Sequence, residues 1–207
     1  NSGLNVSRIS SAGKDLTYTK TNHIIEIDPG KSLLPGERDS IIISYSGNIN
    51  ESFCYPNYTD NIKENPYRIQ ILNINKRQAF LTGSYVLLTP ETHWYPVPGL
   101  NYYPSNPARI KVDFTAYKLR VKTKNGLTAV SQGIMKNEDG YFVFNPESPL
   151  TGLTLAIGDY KSDTLKVDSI SYITYYFTGH DYYKKDLTEI KDTLPLLVSG
   201  KMRDLET

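Results

Sequence analysis

One cysteine, one tryptophan and three histidines in 207 residues leave little of the chemistry from which catalytic motifs are usually built. Cys54 alone excludes an internal disulfide and a cysteine-built zinc cage. Its surroundings, SFCYPNY, hold no histidine to activate a thiolate, so it reads as a half-buried thiol. His23, His93 and His180 stand far apart, and His-Glu-x-x-His, which sets two imidazoles one helical turn apart with a base between them, does not occur. No Gly-x-Ser-x-Gly elbow is present, and Gly3, Gly13, Gly30, Gly36 and Gly47 are isolated, which excludes a glycine-rich phosphate loop. No apolar run approaches the roughly 18 residues that span a bilayer. A signal-peptide pattern and an initiating Met are also missing, so the sequence reads as a soluble piece of something longer. Charges nearly cancel, 23 Lys and Arg against 22 Asp and Glu, and they are interspersed. The basic stripe of a nucleic-acid binder is not expected.

What is abundant is tyrosine, 17 residues, with 12 Pro and 14 Gly. Tyr, Ile, Val and Thr in short runs between turn residues predict β structure. Ile41, Ile43 and Tyr45 share one face of a strand that follows a turn on Pro35-Gly36. Leu153, Leu155 and Ile157 alternate with smaller or polar residues. Ile110, Val112, Phe114 and Ala116 keep one phase while Tyr117, Leu119 and Val121 take the other, which predicts a bulge or a long strand passing between sheets. Asn125-Gly126 and Asp139-Gly140 supply the positive φ of tight hairpins, and Ser131-Gln132-Gly133 reads as a turn after a strand. Tyr141–Phe144 and Ile170–Phe177, apolar on both faces, predict central strands covered on both sides. From Asp181, a candidate N-cap, the apolar spacing becomes helical through Tyr183, Leu187, Ile190, Leu194, Leu197, Met202 and Leu205. Pro195 should kink that helix or split it. The expected fold is all-β, a sandwich or saddle of twisted, mainly antiparallel sheets over residues 1–179, with a short helical segment over 180–207.

The segment GSYVLLTPETHWYPVPGLNYYPSNP holds the lone tryptophan and one of the three histidines. Glu91, His93, Trp94 and Tyr95 within it are the candidate site residues. Glu91 is the one acid between Gly83 and Gly99, and Trp94 and Tyr95 are expected to pack inward and fix the loop.

The order of segments resembles the opening β-domain of the aminopeptidase N family of zinc metallopeptidases. In that family a Leu-x-Pro-Gly-Glu turn, here LLPGE, feeds a strand ending in Tyr-x-Gly, here Tyr45-Ser46-Gly47. HWYPVPG, IKVDFTAYKLRV and GLTAVSQG follow in the family's order. The most specific likeness is FNPESPL followed by LTLAIGDY, which is similar to the family's Phe…Pro-(Leu/Met) and Ala-(Val/Ile)-Gly-(Asp/Glu)-(Phe/Tyr). The family's Pro-Cys-Phe-Asp-Glu-Pro is replaced here by Tyr95-Pro96-Val97-Pro98-Gly99. Gly-x-Met-Glu-Asn and the zinc helix do not occur in these 207 residues. The divergence resembles a bacterial subgroup whose peptidase-like region is joined to a transporter-like membrane segment.

The resemblance implies a non-catalytic N-terminal domain that packs on a catalytic peptidase-like domain of the same polypeptide. It implies no cofactor in this chain, with zinc only in that absent domain, and a peptide N-terminus as the parent's substrate. It further implies that the aromatic loop helps close the substrate rim, where Glu91 would select a charged ammonium. The parent is expected to be membrane-associated or extracytoplasmic. The alternative is a free-standing carbohydrate- or surface-binding β-sandwich module presenting Tyr102, Tyr103, Tyr172, Tyr175 or Tyr176 to sugar faces. Since Tyr175 and Tyr176 are adjacent on a strand, only one of them can join a single platform.

Overall fold

The computed structural model describes residues 1–21, 23–52, 77–99, 113–124, 126–167, 170–190 and 192–206. The chain is all-β, with fourteen strands among the described residues followed by two helices. Its internal contacts divide it into two units, residues 1–122 with 130–156, and 123–129 with 157–207.

The first unit opens with β1 (Leu4–Ser11), β2 (Lys14–Asp15), β3 (Tyr18–Thr21), β4 (Ile24–Ile27) and β5 (Ile41–Gly47). β1 is the middle strand of an antiparallel sheet of order β2-β1-β5, and β3 and β4 form a separate hairpin. The register of β1 on β5 shifts between Val6 and Arg8, which lets fully buried Ile9 pair with Ile43. Between β4 and β5 the Pro35-Gly36 turn forms as expected. Glu37 N–H donates to Leu34 O at 3.0 Å, Gly36 sits at φ 88°, and the Glu37 carboxylate accepts from Leu34 N–H at 2.9 Å. Ile41 and Tyr45 do share a face, and both remain exposed.

Next come β6 (Ala79–Leu81), β7 (Tyr85–Leu88), β8 (Leu119–Val121), β9 (Thr128–Ser131), β10 (Ile134–Glu138), β11 (Tyr141–Asn145) and β12 (Leu155–Gly158). They make a three-stranded sheet, β10-β11-β8, and a four-stranded one, β6-β7-β12-β9. β11 is central, as its two apolar faces predict, with Val143 and Phe144 buried. The Asp139-Gly140 hairpin is also as expected: both residues have positive φ, and Glu138 pairs with Tyr141. The other glycine turn behaves differently. Leu127 N–H donates to Lys124 O, yet the turn joins β8 and β9, which lie in different sheets. Turn chemistry bends the chain but does not choose the pairing partner.

The phase change near Ala116 has a related cause. Thr115 forms an isolated bridge to Leu150, whereas Leu119 to Val121 pair with Phe144 to Phe142. Thus the chain changes partners between residues 115 and 119, and no long strand runs through the described part of this segment. Ile110 and Val112 lie outside the described residues.

In the second unit β13 (Tyr160–Val167) and β14 (Ile170–Phe177) pair antiparallel over eight residues each. The expectation for β14 was wrong in kind. Among the described residues it pairs on one side only, and Ile173 is 51% exposed. A two-faced apolar run reads as a central strand only when both faces are covered. Helix α1 (Tyr183–Glu189) starts after Tyr182, and Asp181 accepts Lys184 N–H through its backbone carbonyl instead of capping with its side chain. Pro195 splits the helical pattern by falling in the first turn of α2 (Leu194–Glu206), where its missing N–H has no intrahelical partner to lose. Among the described residues no helix is long and apolar enough to cross a membrane.

Candidate functional site

After β7 the sequence Thr89-Pro90-Glu91-Thr92 carries its own geometry. Proline pre-sets the first residue of a short helical turn. Thr89 is extended, Pro90–Thr92 form one 3-10 turn, and His93 closes it at φ 50°, ψ 47°, donating its N–H to Pro90 O at 3.0 Å. His is one of the side chains that tolerates this left-handed conformation. Thr92 is completely buried and its hydroxyl donates to Thr89 O. Glu91, its neighbour, is exposed.

The rest of the first unit then holds this turn. The Asn1 side-chain amide donates to Thr92 O at 2.9 Å, Tyr45 Oη donates to Trp94 O at 3.1 Å, and Thr89 Oγ1 donates to Gln78 O at 3.0 Å. Tyr95 is the latch: its hydroxyl accepts from Leu153 N–H at 2.8 Å. Its ring meets Trp94 edge to face at 4.7 Å and Tyr117 at 5.9 Å. Gly152 makes the approach tight, because a Cβ there would lie 2.9 Å from the Pro90 ring and 3.2 Å from Tyr95 Oη. Burial pushes the Tyr95 hydroxyl up to about 12, so it stays a neutral phenol at any physiological pH. Trp94 Nε1 is buried with no hydrogen-bond partner among the described residues.

The four predicted residues therefore divide by role. Tyr95 and Trp94 tie the segment down, as expected of large aromatics, and Glu91 projects from a fixed backbone. His93 instead meets His23 with ring centroids 6.1 Å apart. His23 lies in the turn between β3 and β4. No spacing in the sequence signals this pair, because 70 residues separate its members and only the fold brings them together. Buried Thr92 and close-packed Gly152 were likewise missed, although Thr-Pro-Glu is itself a helix-start pattern.

Burial is the largest cause of a lowered pKa for both His23 and His93; around them His93 adds to the lowering at His23, the Asn1 amino group lowers both, and Glu91 opposes it at His93. A folded-state pKa below the unfolded one means that the unfolded chain binds more protons. The resulting stability is complete above pH ~6.5 and is lost as pH falls through the folded pKa. We expect the Tm to decline from pH 7 to pH 5, and the decline to flatten in His23→Gln/His93→Gln, as followed by circular dichroism.

Among the described residues no group of three or more His, Cys, Asp or Glu side chains could hold a metal ion. Tyr160 and Tyr175 meet edge to face, 6.1 Å apart at 69°, and Tyr176 Oη is engaged with Asp163. Tyr102 and Tyr103 lie outside the described residues.

No family model matches the sequence, and no curated protein matches it. Solved structures match in fold. A two-domain M1 zinc metallopeptidase mutant bound to L-tryptophan aligns with TM-score 0.54 at 18% identity. A mutant bound to L-arginine aligns with TM-score 0.55 at 15%, and an M1 zinc metallopeptidase from Deinococcus radiodurans with 0.53 at 15%. Each alignment covers 84% of this chain and 37% of the other, so the chain spans little more than a third of the structures it matches. At such identities the likeness is one of fold.

Proposed function

We propose that this chain is the non-catalytic β-domain of an M1-like zinc aminopeptidase, that it packs on the catalytic domain of the same polypeptide, and that the Pro90–Tyr95 segment forms part of the substrate rim. The observation that carries this reading is the partial fold match, which takes in 84% of this chain and 37% of the metallopeptidases. The site geometry adds support. A segment tied down at Thr92, Trp94 and Tyr95 fixes the backbone that carries Glu91, whose side chain is exposed.

In this reading the chain alone hydrolyses nothing. In this reading any zinc belongs to the catalytic domain. Glu91 is the anchor for the α-ammonium of a peptide substrate, since a carboxylate facing the substrate favours a charged amine.

The test uses the full-length polypeptide and an aminoacyl anilide. A charge-assisted hydrogen bond contributes about 1.5–3 kcal/mol, so Glu91→Gln should raise KM roughly 10- to 100-fold while kcat changes little. An unchanged KM removes Glu91 from the role. Hydrolysis by the 207-residue chain alone, after chelation and repurification, would overturn the whole reading.

A further inference from the structure

Counted along the chain the charges are interspersed, but the fold sorts them. From Ala116 to Lys122 exposure alternates strictly, with Lys118, Arg120 and Lys122 outward and Leu119 and buried Val121 inward. Period-two alternation places the three cations on one side of an extended segment. Register carries that side across the β10-β11-β8 sheet, because Arg120 pairs with Val143 and Val143 with Lys136. Residues directly opposite on antiparallel strands share a face, so Lys136 joins the same surface. Tyr141 lies between, with the Arg120 guanidinium 4.5 Å and the Lys122 ammonium 5.7 Å from its ring centroid. Ile134, two residues from Lys136 and therefore on the same face, is 65% exposed.

Among the described residues no carboxylate pairs with any of these four cations. Between Phe114 and Asn137 the chain has five basic residues and no acidic one. Glu138, at the far end of β10, is the one acid that the register places on this face.

We propose that this sheet face is a docking surface for an anionic lipid bilayer. Charge complementarity is the first argument, since each Lys or Arg near an anionic leaflet contributes about 1 kcal/mol. Arrangement is the second. Lys118 to Lys122 spans four residues, about 13 Å, and Lys136 stands about two strand spacings, ~10 Å, from Arg120. The cations are spread over an area instead of converging on a point, which suits a plane of many headgroups better than one phosphate or carboxylate. The third is the pairing of cations with an exposed isoleucine and a half-buried tyrosine, the amphipathic mix that sits at a headgroup boundary. The proposal is independent of the peptidase reading, because it uses none of the rim residues.

The experiment is co-sedimentation of the 207-residue chain with phosphatidylcholine vesicles, with and without phosphatidylglycerol, at low salt and at about 0.15 M, where the Debye length is near 8 Å. Binding is expected only to the anionic vesicles and should weaken at the higher salt. Lys118→Gln/Arg120→Gln/Lys122→Gln should lower the partition coefficient by about 100-fold, from three cations at ~1 kcal/mol each. Lys14→Gln/Lys161→Gln/Lys166→Gln, which removes the same net charge elsewhere, should lower it far less. Near-UV circular dichroism confirms that both variants are folded. No binding to anionic vesicles, equal loss in the two variants, or binding to polyglutamate or nucleic acid with none to vesicles would each overturn the proposal.

Discussion

Tyr95→Ala is expected to destabilise the chain by about 3 kcal/mol, the low end of the range for truncating a packed aromatic because the residue is not fully buried. Three losses combine. The ring leaves Trp94 and Tyr117, the Leu153 N–H loses its acceptor, and the space beside Gly152 opens. Tyr95→Phe separates them: it keeps the ring and removes only the hydroxyl, at a cost of about 1–2 kcal/mol. Urea denaturation measures both, and Trp94, the lone tryptophan and the direct neighbour of this ring, reports the local change by its fluorescence. If Tyr95→Phe melted like the wild type, the hydroxyl would not be the latch and only ring packing would fix the segment. Under the rim role proposed above, Tyr95→Ala in the full-length protein should also loosen Glu91 and raise KM without moving the carboxylate's charge.

Gly133→Ala should cost about 3 kcal/mol, for two reasons that the geometry separates. Gly133 sits at φ 92°, where an L-side chain is strained by roughly 1–2 kcal/mol. A Cβ there would also stand 2.7 Å from Pro146 N, 2.9 Å from the Asn145 carbonyl carbon and 3.0 Å from Pro146 Cα. Those atoms are backbone and cannot swing aside, so the chain must shift, which adds about 1–3 kcal/mol. Gly140→Ala is the control: it has φ 76° but nothing within 4 Å of its Cβ, and should show the conformational cost alone. Equal losses in the two variants would mean that the Asn145–Pro146 segment yields freely and that the close approach has no structural weight. The surroundings argue otherwise. Ser131 Oγ donates to Thr154 O at 2.7 Å, and Gln132 Oε1 accepts Thr154 N–H at 3.0 Å, so two hydrogen bonds tie this turn to Thr154.

Where local chemistry was sufficient, the fold was legible. Leu-Pro-Gly-Glu can hardly avoid a type II turn, since proline sets one φ and glycine allows the other. Asp139-Gly140 closes a hairpin for the same reason, and Pro195 cannot sit inside a helix, so it begins one. Reading failed where the outcome depended on what lies alongside. Ile170–Phe177 has the composition of a covered strand, yet Ile173 is half in solvent because β14 has one described neighbour. Lys118, Arg120 and Lys122 passed for scattered charges because charge was counted along the chain, whereas a strand doubles the local density of one sign by sending alternate residues to one side. That period-two spacing of Lys118, Arg120 and Lys122 is present in the sequence itself.

For the candidate site, the sequence by itself determined the cast and the local bend: a proline-started turn with one outward acid followed by two large aromatics. Tertiary structure alone decided what holds it. Leu153 supplies the donor for Tyr95 from 58 residues away, Asn1 reaches Thr92 across 91, and His23 meets His93 through a hairpin turn. Turn and strand preferences come from φ, ψ and side-chain shape within a few residues, so they survive in any context that permits them. Hydrogen-bond partners and close approaches require chain closure over tens of residues, and their identity follows from which sheets pack, not from any residue's own chemistry.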